Sequence, residues 1–166
     1  VLQAPRGAAT RPTSDRVREA LFSILASVDG ARVLDLFAGS GALGIEALSR
    51  GAAEAVFVDS AQAAVAAVRH NLEQLGLRGE VLRMPALRAL ACTPVLGREY
   101  DLVFLDPPYR MASSLGPQLS RALPPILSPR ARVVVESDRR SPLELDLELL
   151  RERQYGDTLI RVHVAG

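Results

Sequence analysis

Apolar residues along this chain alternate between two periods, and the alternation predicts the elements. Val17, Leu21, Ile24 and Val28 recur at helical spacing, with Thr13 as the expected N-cap, Asp15 in the first turn and Gly30 as the stop. Val33, Leu34, Leu36 and Phe37 then form a run dense enough for a strand buried on both faces. A helix over Ala42 to Ser49, a strand over Glu54 to Val58 and a helix over Ala61 to Leu75, closed by Gly76, follow. Glu80 to Met84 reads as a third strand, and Tyr100 to Leu105 as a fourth that is again doubly buried. Pro107 and Pro108 forbid its continuation, which leaves Asp106 at its carboxyl end. A helix near Ser114 to Leu123, a buried strand over Ala131 to Glu136, and a hairpin pairing Leu149 to Tyr155 with Thr158 to Val164 around Gly156-Asp157 complete the series. Seven strands interleaved with helices imply an α/β protein whose sheet is mostly parallel, with one antiparallel strand near its edge.

The opening Val1 to Arg11 is punctuated by Pro and Gly and reads as an edge strand or loop. Residues 1–28 are therefore expected to form a leader with an amphipathic helix, and 29–166 the body of one compact domain. A length of 166 residues, 48% of them hydrophobic, suits one domain with a sizeable core. The chain opens at Val1 without a Met, so further sequence is expected to precede it. Cys92 is alone, and His70 and His163 lack nearby ligand-type partners, so neither a disulfide framework nor a metal site is expected. No apolar run reaches membrane-span length and no signal peptide opens the chain, which points to a cytoplasmic protein. The basic residues are all Arg, a usage that reads as genomic composition and carries no chemistry.

The first chemical centre is Val33 to Gly44, where Gly39, Gly41 and Gly44 stand at G-x-G-x-x-G spacing directly after a strand. Gly39 and Gly41 can take backbone angles closed to other residues, and Gly44 lets the next helix pack tightly. Asp59, twenty residues past Gly39 and ending the second strand, is placed to accept both hydroxyls of a ribose. Glycines after a strand can also serve only a tight turn. Asp35 changes that balance, because a pyrophosphate-binding loop would gain nothing from extra negative charge ahead of its glycines, whereas that charge suits a cationic ligand.

The second centre is Asp106-Pro107-Pro108-Tyr109, on the same sheet edge as the glycine loop, where open α/β sheets bind ligands. This tetrapeptide resembles motif IV of methyltransferases acting on exocyclic amines of nucleic-acid bases, whose lone pair is delocalised into the ring and poorly nucleophilic. The resemblance implies acceptors at the Asp106 carboxylate and Pro107 carbonyl that favour a more tetrahedral nitrogen, and a Tyr109 ring on which an extruded base can stack. A strand end with a proline turn and a surface tyrosine is the plainer alternative.

The loop with its upstream acid resembles motif I of S-adenosylmethionine-dependent methyltransferases, whose cofactor carries an ammonium and a sulfonium. Arg11-Pro12-Thr13, Asp15 to Phe22, LDLFAGSGALGIEALSRGA from Leu34, Asn71-Leu72 and DPPY together resemble the RsmD family of bacterial 16S rRNA guanine-N2 methyltransferases. That resemblance implies a Rossmann-like class I methyltransferase fold with S-adenosylmethionine as cofactor. It also implies N2-methylation of a guanine of the 966 type in 16S rRNA, within the small subunit or an assembly intermediate, by a monomer. The site it implies comprises Asp35, Phe37, Ala38, Gly39, Ser40, Gly41, Asp59, Ser60, Ala86, Leu87 and Asp106 around the cofactor, with Asp106 to Tyr109 at the target base.

Three departures stand out. Relatives generally begin with a further segment containing Gly and Arg, Asp59 replaces a common Glu, and Pro85 precedes Ala86 where relatives often carry an acidic residue or Asn. That last change leaves backbone groups near Ala86 and Leu87 to read the adenine. A net charge of +1 is modest for an RNA-binding protein, so local arginines must make the phosphate contacts. Arg11, Arg16, Arg18 and Arg110 are the candidates, with Arg6 and Arg139-Arg140 as a wider rim, although such residues are more often simply solvated. Rival readings are a nicotinamide dehydrogenase, which has no use for DPPY, a non-catalytic cofactor or RNA module, and an adenine-N6 or cytosine-N4 methyltransferase acting on DNA or RNA.

Overall fold

The computed structural model describes residues 14–166, with the side chain of Tyr109 outside that description. The leader readings, including Arg6, Arg11 and Thr13, also lie outside the described residues. A helix over Asp15–Leu25 (α1) opens the described chain, and Ser14 rather than Thr13 caps it, its hydroxyl accepting the Val17 amide at 3.3 Å. Strand β1 (Arg32–Asp35), helix α2 (Ala42–Ser49), strand β2 (Glu54–Asp59), helix α3 (Gln62–Leu75) and strand β3 (Glu80–Arg83) follow. Next come a short helix α4 (Ala86–Leu90), strand β4 (Tyr100–Leu105), helix α5 (Ala112–Ala122), and strands β5 (Leu127–Asp138), β6 (Glu148–Tyr155) and β7 (Thr158–Val164).

The seven strands form one sheet in the order β3-β2-β1-β4-β5-β7-β6. Strands β1 to β5 pair in parallel, whereas β7 runs antiparallel between β5 and β6. This is the mostly parallel sheet with a terminal antiparallel pair that the hydrophobic pattern implied. Consecutive residues of the central strands point to opposite faces, and both faces are covered. Leu34, Val56, Val103 and Val133 pack with α4 and α5, while Val33, Phe57, Phe104 and Val134 pack with α1, α2 and α3.

Helix α1 shares this second core through Leu21, Phe22 and Leu25. The Phe22 ring lies 5.9 Å from that of Phe104, and the Arg50 guanidinium sits 4.9 Å above Phe22. Arg132 of β5 donates to the carbonyls of Leu25 and Ser27 at the end of α1. The helix is thus fixed to the sheet by both apolar burial and a half-buried cation. No helix among the described residues is long and apolar enough to cross a membrane.

The end of β1 and the stretch after β3 also depart from the sequence pattern. Strand β1 ends at Asp35, and Leu36 and Phe37 form a turn whose apolar side chains pack on the α4 and α5 side of the sheet. Helix α4 carries no recognisable period in five residues and was not expected.

Candidate active site

The order of the sheet makes β1 and β4 neighbours, although β2 and β3 intervene in sequence. The chain leaves β1 toward β2 on one side, while β4 leads toward β5 on the other. A crevice opens at such a reversal beyond the carboxyl ends of the strands. The Leu36 amide donates to the Phe104 carbonyl at 3.2 Å, which brings the turn into the glycine loop beside the strand end that leads to Asp106. The two sequence centres are therefore adjacent.

Three side chains from separate elements hold the glycine loop. Asp59, at the end of β2, accepts the Gly39 amide at 2.9 Å through one carboxylate oxygen and the Ala61 amide at 2.9 Å through the other. Asp35, at the end of β1, accepts the Gly44 amide at 3.1 Å. Asn71, on α3, donates to the Ser40 carbonyl at 3.0 Å. Gly39 and Gly41 have φ of 57° and 81°, in the left-handed region that favours glycine. At Gly44 an added Cβ would stand 2.4 Å from the Phe57 ring, so this glycine allows α2 to lie against β2.

The loop's donors are largely committed inside the protein. The Gly39 amide serves Asp59, the Gly41 amide serves the Ala38 carbonyl at 2.7 Å, and the Gly44 amide serves Asp35. A pyrophosphate needs those donors turned outward. With these amides engaged inside the protein and the Asp59 carboxylate beside them, the loop suits a ligand with positive charge better than a pyrophosphate. Asp35 is fully buried, and burial lifts its carboxyl to a pKa of about 7, with the Gly44 amide opposing the rise and the Asp59 charge adding to it. Asp59 is half-buried, and each of its oxygens has a lone pair left beyond the amide it accepts.

Several residues that follow the strand ends on this edge are apolar. Phe37, Leu87 and Met84, the last not singled out from sequence, are partly buried against the core, and Ala38 and Ala86 are buried. The Met84 amide donates to the Asp59 carbonyl at 3.1 Å, so the chain after β3 follows the end of β2. Pro85 is the N-cap of α4 and its carbonyl accepts the Ala89 amide at 3.0 Å, which places Ala86 and Leu87 in the first turn. Ser60 is exposed beside Asp59.

On the other flank Asp106 is half-buried, Pro107 buried and Pro108 half-buried. The Met111 amide donates to the Pro108 carbonyl at 2.9 Å, closing a tight turn from Tyr109 to Met111 that runs directly into α5. The motif is thus braced by a strand before it and a helix after it. Of the arginines expected at RNA, Arg16 and Arg110 are exposed. Arg18 is 19% exposed and is engaged by Asp15 at 2.8 Å and by Glu46 of α2 at 3.4 Å, so its guanidinium ties α1 to α2. Among the described residues no group of three His, Cys, Asp or Glu side chains could hold a metal ion.

Comparison with known proteins bears on this site. The family model described as conserved hypothetical protein 95 matches residues 1–164. Ribosomal RNA small subunit methyltransferase D of Haemophilus influenzae is 34% identical over 161 residues, covering 92% of this chain and 82% of that protein. The chain belongs to the RsmD family. The protein of the same name from Escherichia coli (strain K12) is 43% identical over 110 residues, which cover 66% of this chain and 54% of that one. A solved structure of a hypothetical protein from Thermus thermophilus superposes with a TM-score of 0.83 at 30% identity, covering 99% of this chain and 93% of that one. An RNA methyltransferase from Salinibacter ruber, solved with S-adenosyl-L-homocysteine, shares the fold at a TM-score of 0.70 and 22% identity, covering 93% of each chain. The RsmD fold seen here is the class I methyltransferase fold, whose methyl donor is S-adenosylmethionine.

Proposed function

We propose that this protein transfers a methyl group from S-adenosylmethionine to the exocyclic N2 of a guanine in 16S rRNA, acting on a base turned out of its helix within the small subunit or an assembly intermediate. The observation that carries the reading is the juxtaposition of two loops: the Leu36 to Phe104 bond sets the cation-suited glycine turn beside the Asp106-Pro107-Pro108 strand end. The names of the Haemophilus and Escherichia relatives support ribosomal RNA as the substrate class.

The residues divide the work. Asp59 holds the ribose hydroxyls, Phe37, Met84 and Leu87 enclose the adenine between apolar walls, and backbone groups of Ala86 and Leu87 meet its edge. The loop Ala38 to Gly41 faces the positively charged methionine end, and buried Asp35 holds that loop from behind through the Gly44 amide. When bound, S-adenosylmethionine supplies an electrophilic methyl group on sulfur. The Asp106 carboxylate and Pro107 carbonyl accept hydrogen bonds from the N2 protons, turning the nitrogen lone pair away from the ring. Those hydrogen bonds form best as N2 becomes tetrahedral, so they stabilise the transition state more than the bound base. As the N2 lone pair is committed to the methyl carbon, a neutral thioether would be left on the donor, and the Asp106 carboxylate that already accepts an N2 hydrogen bond would take the proton that N2 gives up. Tyr109 supports the extruded base by stacking. Exposed Arg16 and Arg110 meet phosphates, with Arg11 preceding them in sequence.

The test is transfer of labelled methyl to small subunits that lack the modification, followed by nucleoside analysis. N2-methylguanine is the expected product with the native enzyme. Asp106→Ala should retain cofactor binding within a few-fold and lose transfer by about 100-fold or more, the scale of a misplaced reacting group. Labelled N6-methyladenine, or native turnover in Asp106→Ala, overturns the reading.

A further inference from the structure

Helix α3 buries Ala64, Ala67, Val68, Asn71 and Leu72 on one face. Asn71 interrupts that apolar stripe with an amide that is only 2% exposed. Burying an amide is unfavourable unless its polar atoms are bonded. Its Nδ2 donates to the Ser40 carbonyl at 3.0 Å across 31 residues of sequence. Ser40 is the middle residue of Gly39-Ser40-Gly41.

The Ser40–Gly41 peptide is consequently held from both ends. Its carbonyl is taken by Asn71 and its amide by Ala38 at 2.7 Å. Such a hold matters at this peptide more than at an ordinary one, because the flanking residue is a glycine at φ 81° with few steric limits on its backbone. A flip of the peptide would break both of these bonds and reverse which of its two polar groups faces α3. Helix α3 also approaches the loop one turn earlier, where Val68 methyls would lie 3.2 and 3.3 Å from a Cβ on Gly41. The same helix thus sets both the height of the loop and the sense of its central peptide.

We infer that Asn71 is a positioning residue for cofactor binding: it fixes the Ser40–Gly41 peptide in the orientation that receives the methionine end of S-adenosylmethionine. The inference rests on the proposed assignment of the glycine loop to that cofactor. Asn71 touches the loop and not the reacting atoms, so its removal should raise the cofactor Kd and leave the KM for the ribosomal subunit unchanged.

The experiment compares the native enzyme with Asn71→Leu and Asn71→Asp, measuring S-adenosylmethionine affinity by calorimetry, subunit KM by methyl transfer, and Tm. Asn71→Leu keeps the size and apolar fit but has no donor. It should bind the cofactor on the order of tenfold more weakly, the loss of one hydrogen bond, at an unchanged subunit KM. Asn71→Asp supplies a second and independent reading, because only the protonated carboxyl can donate to Ser40. Its affinity relative to the native enzyme at each pH should approach parity in acid and fall as pH rises.

A lowered Tm with native cofactor affinity in Asn71→Leu, or a pH-independent affinity ratio in Asn71→Asp, would show that the amide serves packing alone and would overturn the inference. Were Asn71→Leu not to fold, the pH profile of Asn71→Asp decides. Failure of the native enzyme itself to bind S-adenosylmethionine would instead overturn the assignment of the loop.

Discussion

Asp59 accepts the Gly39 amide at 2.9 Å and so binds the end of β2 to the glycine turn that follows β1. A carboxylate expected to serve a ribose also serves the loop, so the ribose and methionine halves of the proposed cofactor site would share one side chain.

Asp59→Ala should consequently weaken S-adenosylmethionine binding more than the loss of ribose contacts alone, by about 100-fold or more, since each hydrogen bond to a charged group is worth roughly 1.5–3 kcal/mol. Asp59→Asn retains one acceptor and should fall between. Isothermal calorimetry checks both, with NAD as the control that the native protein does not bind. Equal losses in the two variants would separate the loop from the ribose site.

The buried Asp35 predicts a pH dependence of stability. Its carboxyl, ordinarily at 3.8, sits at about 7 in the folded protein because burial disfavours the charge. Between those values the folded chain holds a proton that the unfolded chain has released, so stability is highest below about pH 4 with respect to this group and declines as pH rises to about 7, levelling above it. At roughly 1.4 kcal/mol per pKa unit the full excursion is on the order of 4 kcal/mol. Urea midpoints of the unliganded protein should fall from pH 5 to pH 8, and Asp35→Asn, which can still accept the Gly44 amide, should remove that slope. Parallel pH profiles for the two proteins would exclude Asp35 as its source.

Gly44→Ala should destabilise by about 1–3 kcal/mol, the usual scale of overpacking, because its Cβ would meet the Phe57 ring at 2.4 Å. A shift of several degrees in Tm is expected for a chain of this size. Phe57→Leu added to Gly44→Ala should recover part of the loss, and a double-mutant cycle gives the coupling between them. Simple additivity would place the strain elsewhere.

The arginines divide into two classes of variant. Charge reversal at exposed Arg16 or Arg110 should raise the subunit KM and reduce its salt dependence while leaving Tm unchanged. Arg18→Glu should lower Tm, since it would place a third carboxylate beside Asp15 and Glu46. Thermal melts paired with methyl-transfer kinetics across a salt series check both, and unaltered kinetics at Arg16 and Arg110 would move the RNA contact to another face.

Much of this architecture is legible in the sequence because the strands are buried on both faces and therefore apolar without interruption. Val56 to Val58 and Leu102 to Leu105 are visible for that reason. The end of β1 was obscured by the same rule: Leu36 is buried as completely as a strand residue although it lies in a turn. The beginning of β5 was hidden by Pro129 and by Arg130 at φ 64°, which break the pattern where the strand in fact starts at Leu127. Within the candidate site, glycine spacing and acids at strand ends point to the loop and to Asp59, which the structure brings together through the Gly39 amide. The roles of Asn71 and Arg18 depend on partners in other elements, Ser40 and Glu46, which no local period reveals.

Strand β6 precedes β7 in the chain, yet β7 is the strand to which it hydrogen-bonds, and β5 also needs β7 to complete its outer side. During synthesis both must wait for residues that have not yet been made. At about 5–20 residues per second, the stretch from Asp138 to Val164 takes on the order of seconds to appear. For that interval β5 presents an open apolar edge and β6 has no place to dock, the condition under which nascent chains pair with one another. Both pairings of the last strands therefore require residues 158–164, and slow translation just before Thr158 should prolong the time for which β5 and β6 lack their shared partner.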